Sequence, residues 1–151
     1  MPVYSLFETH LNVRDLGRSI AFYTNVVGLE CAHVDQQRQV AFFWIGGHGH
    51  TMLGLWSGGS APNAMRLHIA FRVDHQTVLA SPSALKLAGI DPLDFYGEVT
   101  DQPSVIGWMP AVSVYFADPD DHLVEYLAML PDEPRPDIGV VTYSEWIERK
   151  S

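Results

Sequence analysis

In the stretch LFETHLNVRD, residues 6–15, apolar and polar positions alternate with the period of a strand, and a strand is predicted over 3–13. Asp15 then caps a predicted helix whose apolar face carries Ile20, Phe22, Tyr23 and Val26 and which ends at Gly28. Three more strands are predicted over 29–35, 38–46 and 51–56, with turns at DQQR and GGHGH, and SGGSAPN follows as a linker. That order is one βαβββ unit. From Met65 it recurs: a strand in MRLHIAFRVD, a helical stretch HQTVLASPSALKLAGI broken at Pro82, a strand around 94–99, then strands in AVSVYF and LVEYLAM. The tail PDEPRPDIGVV is Pro-rich and extended, and TYSEWIERKS is predicted to form a short terminal helix that docks Trp146.

The recurrence can be set in register from the chain alone. His68 stands five residues before Val73, where a strand gives way to a helix, and Glu8 stands five before Val13. Glu8, not His10, is therefore the counterpart of His68. The predicted fold class is α+β: two βαβββ modules form a curved mixed sheet around a cavity, with a short C-terminal extension. The boundaries expected are a single domain over 1–131, with module one about 3–57, a linker 58–64 and module two about 65–130, then a tail over 132–151.

Charge narrows the partners. The 151 residues carry a net charge of -9, which repels nucleic acid and anionic membrane, so neither is expected as a partner. Hydrophobic content of 47% is ample for a folded core, yet no window is long and apolar enough to span a bilayer. The start MPVYS lacks the basic residues and apolar run of a signal peptide, and the expected location is cytoplasmic. Cys31 is the one cysteine, which excludes an intrachain disulfide, and it is expected to pack within a strand. No Lys or Arg occurs between Lys86 and Arg135, so that segment offers no side-chain cation to a phosphate or phosphonate.

Candidate chemistry gathers in VYFADPDDHLVEYL, where Asp118 to Asp121 make a tight turn between two strands and Glu125 follows in an apolar run. A carboxylate between Val124 and Tyr126 is costly to bury unless it is paired or bound to a metal. By alternation Glu125 shares a face with Leu123 and Leu127, and His68 shares one with Arg66, Ala70 and Arg72. If both faces line the inside of the curved sheet, His68, Glu125 and either Glu8 or His10 converge. Imidazole and carboxylate suit Mn, Fe, Co, Ni or Zn, and three protein ligands leave positions open for substrate or water. The plainer alternatives are a hydrogen-bonded core histidine at 68 and a buried ion pair of Glu8 with Arg66 or Arg72. His48 and His50, in a Gly-rich turn, are expected to face solvent, while Phe42, Phe43, Trp44 and Trp56 serve as core or pocket wall.

These motifs resemble the vicinal oxygen chelate superfamily, which includes glyoxalase I, fosfomycin-resistance enzymes, methylmalonyl-CoA epimerase, extradiol dioxygenases and bleomycin-resistance proteins. VRDLGRSIAFYTNVVGLE is similar to its first-helix signature, HIAFRVD to the opening of its second module, and VYFADPDDHLVEYL to its closing hairpin, together covering about residues 3 to 130. The resemblance implies a divalent metal, of unassigned identity among Mn, Fe, Ni, Co and Zn, held by Glu8, His68 and Glu125, with His10 the alternative first-strand ligand. His10 then lies one inward-facing step along, about 6 to 7 Å of strand rise away, from which one compact ion takes both side chains only with distortion. The position that supplies a fourth ligand in glyoxalase I falls on Gly54, so three ligands are expected rather than four. Asp121 stands where the family usually has Gly.

The implied activity is a metal-dependent enzyme acting on a small molecule with adjacent oxygens, by lyase or isomerase, thiol-transfer or dioxygenase chemistry. His10 and Glu125 are the candidate catalytic residues, and His10, Trp56, Trp108 and Met109 the candidate substrate contacts. The rival reading is a metal-free binding protein that sequesters a drug or metabolite, as bleomycin-resistance relatives do. A homodimer is the expected assembly by resemblance.

Overall fold

The computed structural model describes residues 4–58 and 65–150. Val3 and most of the expected linker lie outside the described residues. The chain divides into two compact units, residues 1–67 with 118–121, and residues 68–117 with 122–151.

In the first unit β1 (Glu8–Asn12) leads into α1 (Leu16–Asn25), and β2 (Glu30–Asp35), β3 (Val40–Ile45) and β4 (Thr51–Trp56) follow. The helix begins where expected because the Asp15 carboxylate accepts from the Arg18 backbone N–H, a cap typically worth about 1 kcal/mol. Its end is set by Gly28, whose φ of +80° suits a residue without Cβ. Strand order is β1-β4-β3-β2, with β1 parallel to β4 and the rest antiparallel. Alternation sends Leu11, Ala41, Phe43, Leu53 and Leu55 into the core with Leu16, Phe22 and Tyr23 of α1, all buried. The opposite face carries Glu8, His10, Phe42 and Trp56, each only half-buried. Cys31 departs from its expected packing: it is exposed on the edge strand β2, beside an irregularity in the pairing with β3.

The turn at residues 118–121 belongs to this unit through α1. Tyr23 Oη donates to Asp118 Oδ2 at 2.9 Å, the Arg14 backbone N–H donates to Asp120 Oδ1 at 2.9 Å, and Arg18 Nη2 donates to the Pro119 carbonyl at 3.1 Å.

The second unit repeats the pattern with β5 (His68–Arg72), α2 (His75–Leu87), β6 (Ser104–Ile106), β7 (Ala111–Ala117) and β8 (Leu123–Met129), and adds β9 (Val140–Thr142) and α3 (Tyr143–Lys150). Asp74 caps α2 by accepting from the Thr77 N–H at 2.8 Å. Val78, Leu85, Val112, Val114, Phe116, Val124 and Ala128 form the buried core where α2 packs on β7 and β8.

The α+β class built from two βαβββ modules is as expected, with the strands in two sheets, β1-β4-β3-β2 and β5-β8-β7-β6-β9, because each module's first strand pairs parallel with its own last strand. Two expectations are corrected. Pro82 does not break α2: it sits buried inside a continuous helix, which loses only the one hydrogen bond a proline cannot donate. Residues 94–99 are a turn and not a strand. Asp94 Oδ1 accepts from the N–H groups of both Tyr96 and Glu98, and Gly97 takes a φ of +87°, so the backbone is captured locally and β6 starts only at Ser104.

The terminal helix forms as expected, and Trp146 is 1% exposed. Its Nε1–H donates to Asp132 Oδ2 at 3.1 Å. The extended tail additionally supplies β9, which pairs antiparallel with β6. Among the described residues no helix is long and apolar enough to cross a membrane.

Candidate metal centre

Among the described residues no three His, Cys, Asp or Glu side chains gather in one group. The candidate donors stand instead as two imidazole–carboxylate pairs, one in each unit.

In the second unit, β5 and β8 run parallel with Ala70 opposite Glu125, and His68 lies two residues earlier on the same face of β5. Leaning along the strand, His68 Nε2 meets Glu125 Oε2 at 3.0 Å. The two ends of this pair differ in environment: the imidazole is half-exposed, whereas Glu125 is 5% exposed. Glu125 Oε1 is buried without a hydrogen-bond partner. On β7, Tyr115 stands directly opposite Glu125 of β8, and burial first, then the nearby Glu125 charge, push its phenol above the ordinary tyrosine range. The Tyr115 ring also meets the His68 ring edge-on, centroids 6.2 Å apart.

The donor types of this pair, though only two in number, are those that suit a divalent cation. A buried carboxylate oxygen without a hydrogen-bond partner carries a cost that a bound cation would remove, and imidazole nitrogen with carboxylate oxygen is a donor set that suits first-row divalent metals. Tyr115 is the neighbour that sequence reading left unassigned. Its signal was the strict alternation of AVSVYF, but alternation names a face and not an opposite residue.

In the first unit, β1 and β4 run parallel with Glu8 opposite Met52 and His10 opposite Gly54. His10 Nε2 and Glu8 Oε1 are hydrogen-bonded to each other. The strand rise expected to keep these side chains apart separates their Cα atoms, while the two tips bend together. The His10 ring stacks on Trp56, centroids 5.2 Å apart and planes 24° apart, and meets Phe42 edge-on at 6.0 Å. On Trp56 the Arg38 guanidinium lies 5.0 Å from the ring centroid. Trp56, named from the sequence as a substrate contact, thus belongs to a half-exposed aromatic wall with His10 and Phe42.

The other sequence candidates lie elsewhere. Trp108 is 65% exposed on the turn between β6 and β7, with Met109 half-buried beside it. His48 and His50 face solvent as expected, His48 against the Trp44 ring at 4.7 Å. Arg66 pairs with Asp121 at 3.7 Å.

The two parallel ladders carry the same register. Superposing β5 and β8 on β1 and β4 matches His68 with Glu8, Ala70 with His10, and Glu125 with Gly54. The register counted back from Val13 and Val73 is the register of the ladders, in which the Val13 N–H donates to the Trp56 carbonyl and the Val73 N–H to the Leu127 carbonyl.

Comparison with known proteins agrees with this fold. An integron cassette protein from the mobile metagenome of the Halifax Harbour sewage outfall is 32% identical, with a TM-score of 0.69 over 84% of this chain and 100% of that one. A lactoylglutathione lyase from Agrobacterium tumefaciens is 25% identical, with a TM-score of 0.66 over 85% of this chain and 96% of that one. The fosfomycin resistance protein FosX from Listeria monocytogenes, in complex with Mn(II) and sulfate, is 26% identical, with a TM-score of 0.60 over 87% of this chain and 94% of that one. No curated protein sequence matches the chain. The family model for the Glyoxalase/Bleomycin resistance protein/Dioxygenase superfamily matches residues 5–126, and with the paired βαβββ units this places the chain in that superfamily.

Proposed function

We propose that this protein is a metal-dependent vicinal oxygen chelate enzyme acting on a small molecule with adjacent oxygens. The observation that carries the reading is the His68–Glu125 pair, in which a buried carboxylate keeps one oxygen unpartnered beside an imidazole at 3.0 Å. His68 and Glu125 supply two ligands, and Glu8 the third, because Glu8 is the register match of His68. His10 is the alternative first-strand ligand. The Mn(II) complex of FosX supports a divalent cation of the first transition row. Such an ion, when bound, holds adjacent substrate oxygens and favours negative charge on one of them.

The chain's own residues complete the chemistry. Glu125 fixes the position of His68 and offers a carboxylate in a dry environment, where electrostatic effects are strongest. His10, held against Glu8, is placed to move a proton to or from substrate. The wall formed by Trp56 and Phe42 shields the imidazole and gives an apolar part of the substrate a surface, and Trp108 and Met109 are proposed as further substrate contacts. Lyase, isomerase, thiol-transfer and dioxygenase chemistries all use these parts.

The test is elemental analysis of protein purified without an affinity tag, paired with thermal melts in Mn, Fe, Co, Ni and Zn. A stoichiometric transition metal, or a rise in melting temperature with one of these ions, supports the enzyme. No metal and no rise would leave the metal-free binder as the better reading.

A further inference from the structure

The basic side chains of residues 1–67 are Arg14, Arg18, Arg38 and Arg66, and no Lys occurs there. Three of them are paired in the turn before β8: Arg14 and Arg18 with Asp120 at 3.1 and 3.9 Å, and Arg66 with Asp121 at 3.7 Å. Arg38 differs. Among the described residues its guanidinium pairs with no carboxylate, and it lies 5.0 Å from the centroid of the Trp56 ring. Asp35, the carboxylate nearest to it in sequence, accepts instead from the Arg38 backbone N–H at 3.0 Å. In a chain of net charge -9, an exposed guanidinium fixed on an aromatic wall without a counter-charge is the exception.

Its neighbours fix the place of Arg38. It lies in the turn between β2 and β3, where Gln39 adopts a φ of +56° and donates through Nε2 to the Gln36 carbonyl at 2.7 Å. The Ser57 N–H donates to the Gln39 carbonyl at 2.9 Å, so the residues that follow Arg38 and Trp56 are hydrogen-bonded to each other. Stacking on an indole uses the face of a guanidinium and leaves its N–H edges free. Next to Trp56 the surface is formed by the rings of His10 and Phe42, with centroids 5.2 and 6.4 Å from it. Gly54 lets the imidazole lie over the strand, since a Cβ there would stand 2.9 Å from His10 Cδ2. Glu8, hydrogen-bonded to His10, ends the row with the opposite charge.

We propose that Arg38 is a specificity-determining residue, which selects a small substrate bearing one carboxylate on a flat apolar body. The carboxylate takes the free edge of the guanidinium, where two parallel N–H···O bonds form, and the body lies against the rings of Trp56, His10 and Phe42. One guanidinium neutralises one charge. In an acidic chain, with Glu8 at the far end of the row, a second negative charge on the substrate is repelled. This selection rests on the small-molecule part of the reading above, which it deepens by naming a substrate class, and it holds with or without a metal.

The experiment titrates the full chain, stripped of metal by a chelator and at low salt, with benzoate, its neutral counterpart benzamide and the more highly charged phenylphosphonate. Binding is followed by NMR of the indole N–H signals, with that of Trp56 assigned by its loss in Trp56→Phe. Benzoate is expected to move the Trp56 signal and to bind about 3- to 10-fold more tightly than either of the other probes, the range for a charge-assisted contact at an exposed site. Arg38→Gln is expected to abolish the preference for benzoate over benzamide and to leave benzamide binding unchanged, which a general loss of structure would not do. Arg38→Lys keeps the charge without the planar fork and should restore part of the preference. Equal binding of benzoate and benzamide by wild type, a preference that survives in Arg38→Gln, or no movement of the Trp56 signal with any probe would each overturn the assignment. Because the protein is metal-free throughout, these results leave the metal reading to elemental analysis, and the two fail separately.

Discussion

His68 Nε2 and Glu125 Oε2 lie 3.0 Å apart on neighbouring parallel strands, one side chain half-exposed and the other buried. Without a cation the Glu125 carboxylate is a cost to the fold, so its removal should separate stability from binding. Glu125→Ala and His68→Ala are each expected to lower divalent-metal affinity by more than about 10-fold. The metal-free melting temperature of Glu125→Ala should hold steady or rise, since the orphaned Oε1 goes with the side chain. Calorimetric titration and circular dichroism check both halves, and unchanged metal affinity in both variants would remove the site.

The substrate is expected to be small and not multiply phosphorylated. The segment from 87 to 134, which includes β7, β8 and the turn bearing Trp108, contains no Lys or Arg, and the chain carries a net charge of -9. Assays should show turnover of uncharged carbonyl compounds or phenols in preference to a phosphonate such as fosfomycin. Faster turnover of fosfomycin than of either class would contradict this.

Gly107 is expected to tolerate no side chain. A Cβ there would stand 2.4 Å from the Arg135 carbonyl oxygen and 2.8 Å from that of Gly139, and backbone atoms cannot swing aside. The same two residues hydrogen-bond the Gly107 backbone at 2.8 Å each, which clamps the tail onto the end of β6. Gly107→Ala should cost about 1–3 kcal/mol, the usual range for overpacking, read as a lowered urea midpoint. An unchanged midpoint would mean that the tail is not held there.

Acid is expected to loosen the terminal helix. Burial opposes the Asp132 charge, but the Trp146 indole N–H and Lys150 outweigh it and hold the carboxyl below its ordinary value. Glu145 is likewise lowered, first by the Thr142 backbone N–H and then by the Thr142 hydroxyl. A carboxylate with a depressed folded pKa stabilises fully above its unfolded value, about 4, and loses that contribution as pH falls through the folded value. Trp146 fluorescence should therefore shift toward the solvent-exposed spectrum below about pH 4, ahead of global unfolding. Asp132→Asn should flatten that profile, and an identical profile would exclude Asp132 as its source.

Asp121 adopts a φ of +67° in the turn before β8, a conformation that costs an L-residue about 1–2 kcal/mol and costs glycine little. Asp121→Gly is expected to raise the melting temperature while leaving metal affinity alone. The exposed contact with Arg66 that it removes is worth little. A drop in melting temperature would show that the side chain matters more than the backbone.

Much of this architecture is written locally. Asp15 and Asp74 cap their helices through contacts three residues away, Gly28 ends α1 by its own backbone preference, and alternation sorts Phe43 from Phe42. The match of Glu8 with His68 was legible for a related reason, since a duplicated segment carries its register in the distance to its own strand end. Local rules failed where local forces competed. Residues 94–99 have strand-like composition, yet the Asp94 carboxylate takes up two backbone N–H groups that a strand would need. Pro82 forfeits one hydrogen bond, and its burial in α2 keeps the helix whole.

Tertiary structure alone decided which residues stand opposite one another. Nothing in the chain announces that Tyr115 faces Glu125, that the tail adds a strand to β6, or that the His10 ring fills the space above Gly54. Those relations are set by hydrogen bonds between strands far apart in sequence, and a shift of one residue in either ladder would send each side chain to the other face. The chain determined the kinds of donors and the strands that carry them. Strand pairing brought His68 to Glu125, because only a ladder makes residues 57 positions apart into neighbours, whereas Glu8 and His10 meet along one strand.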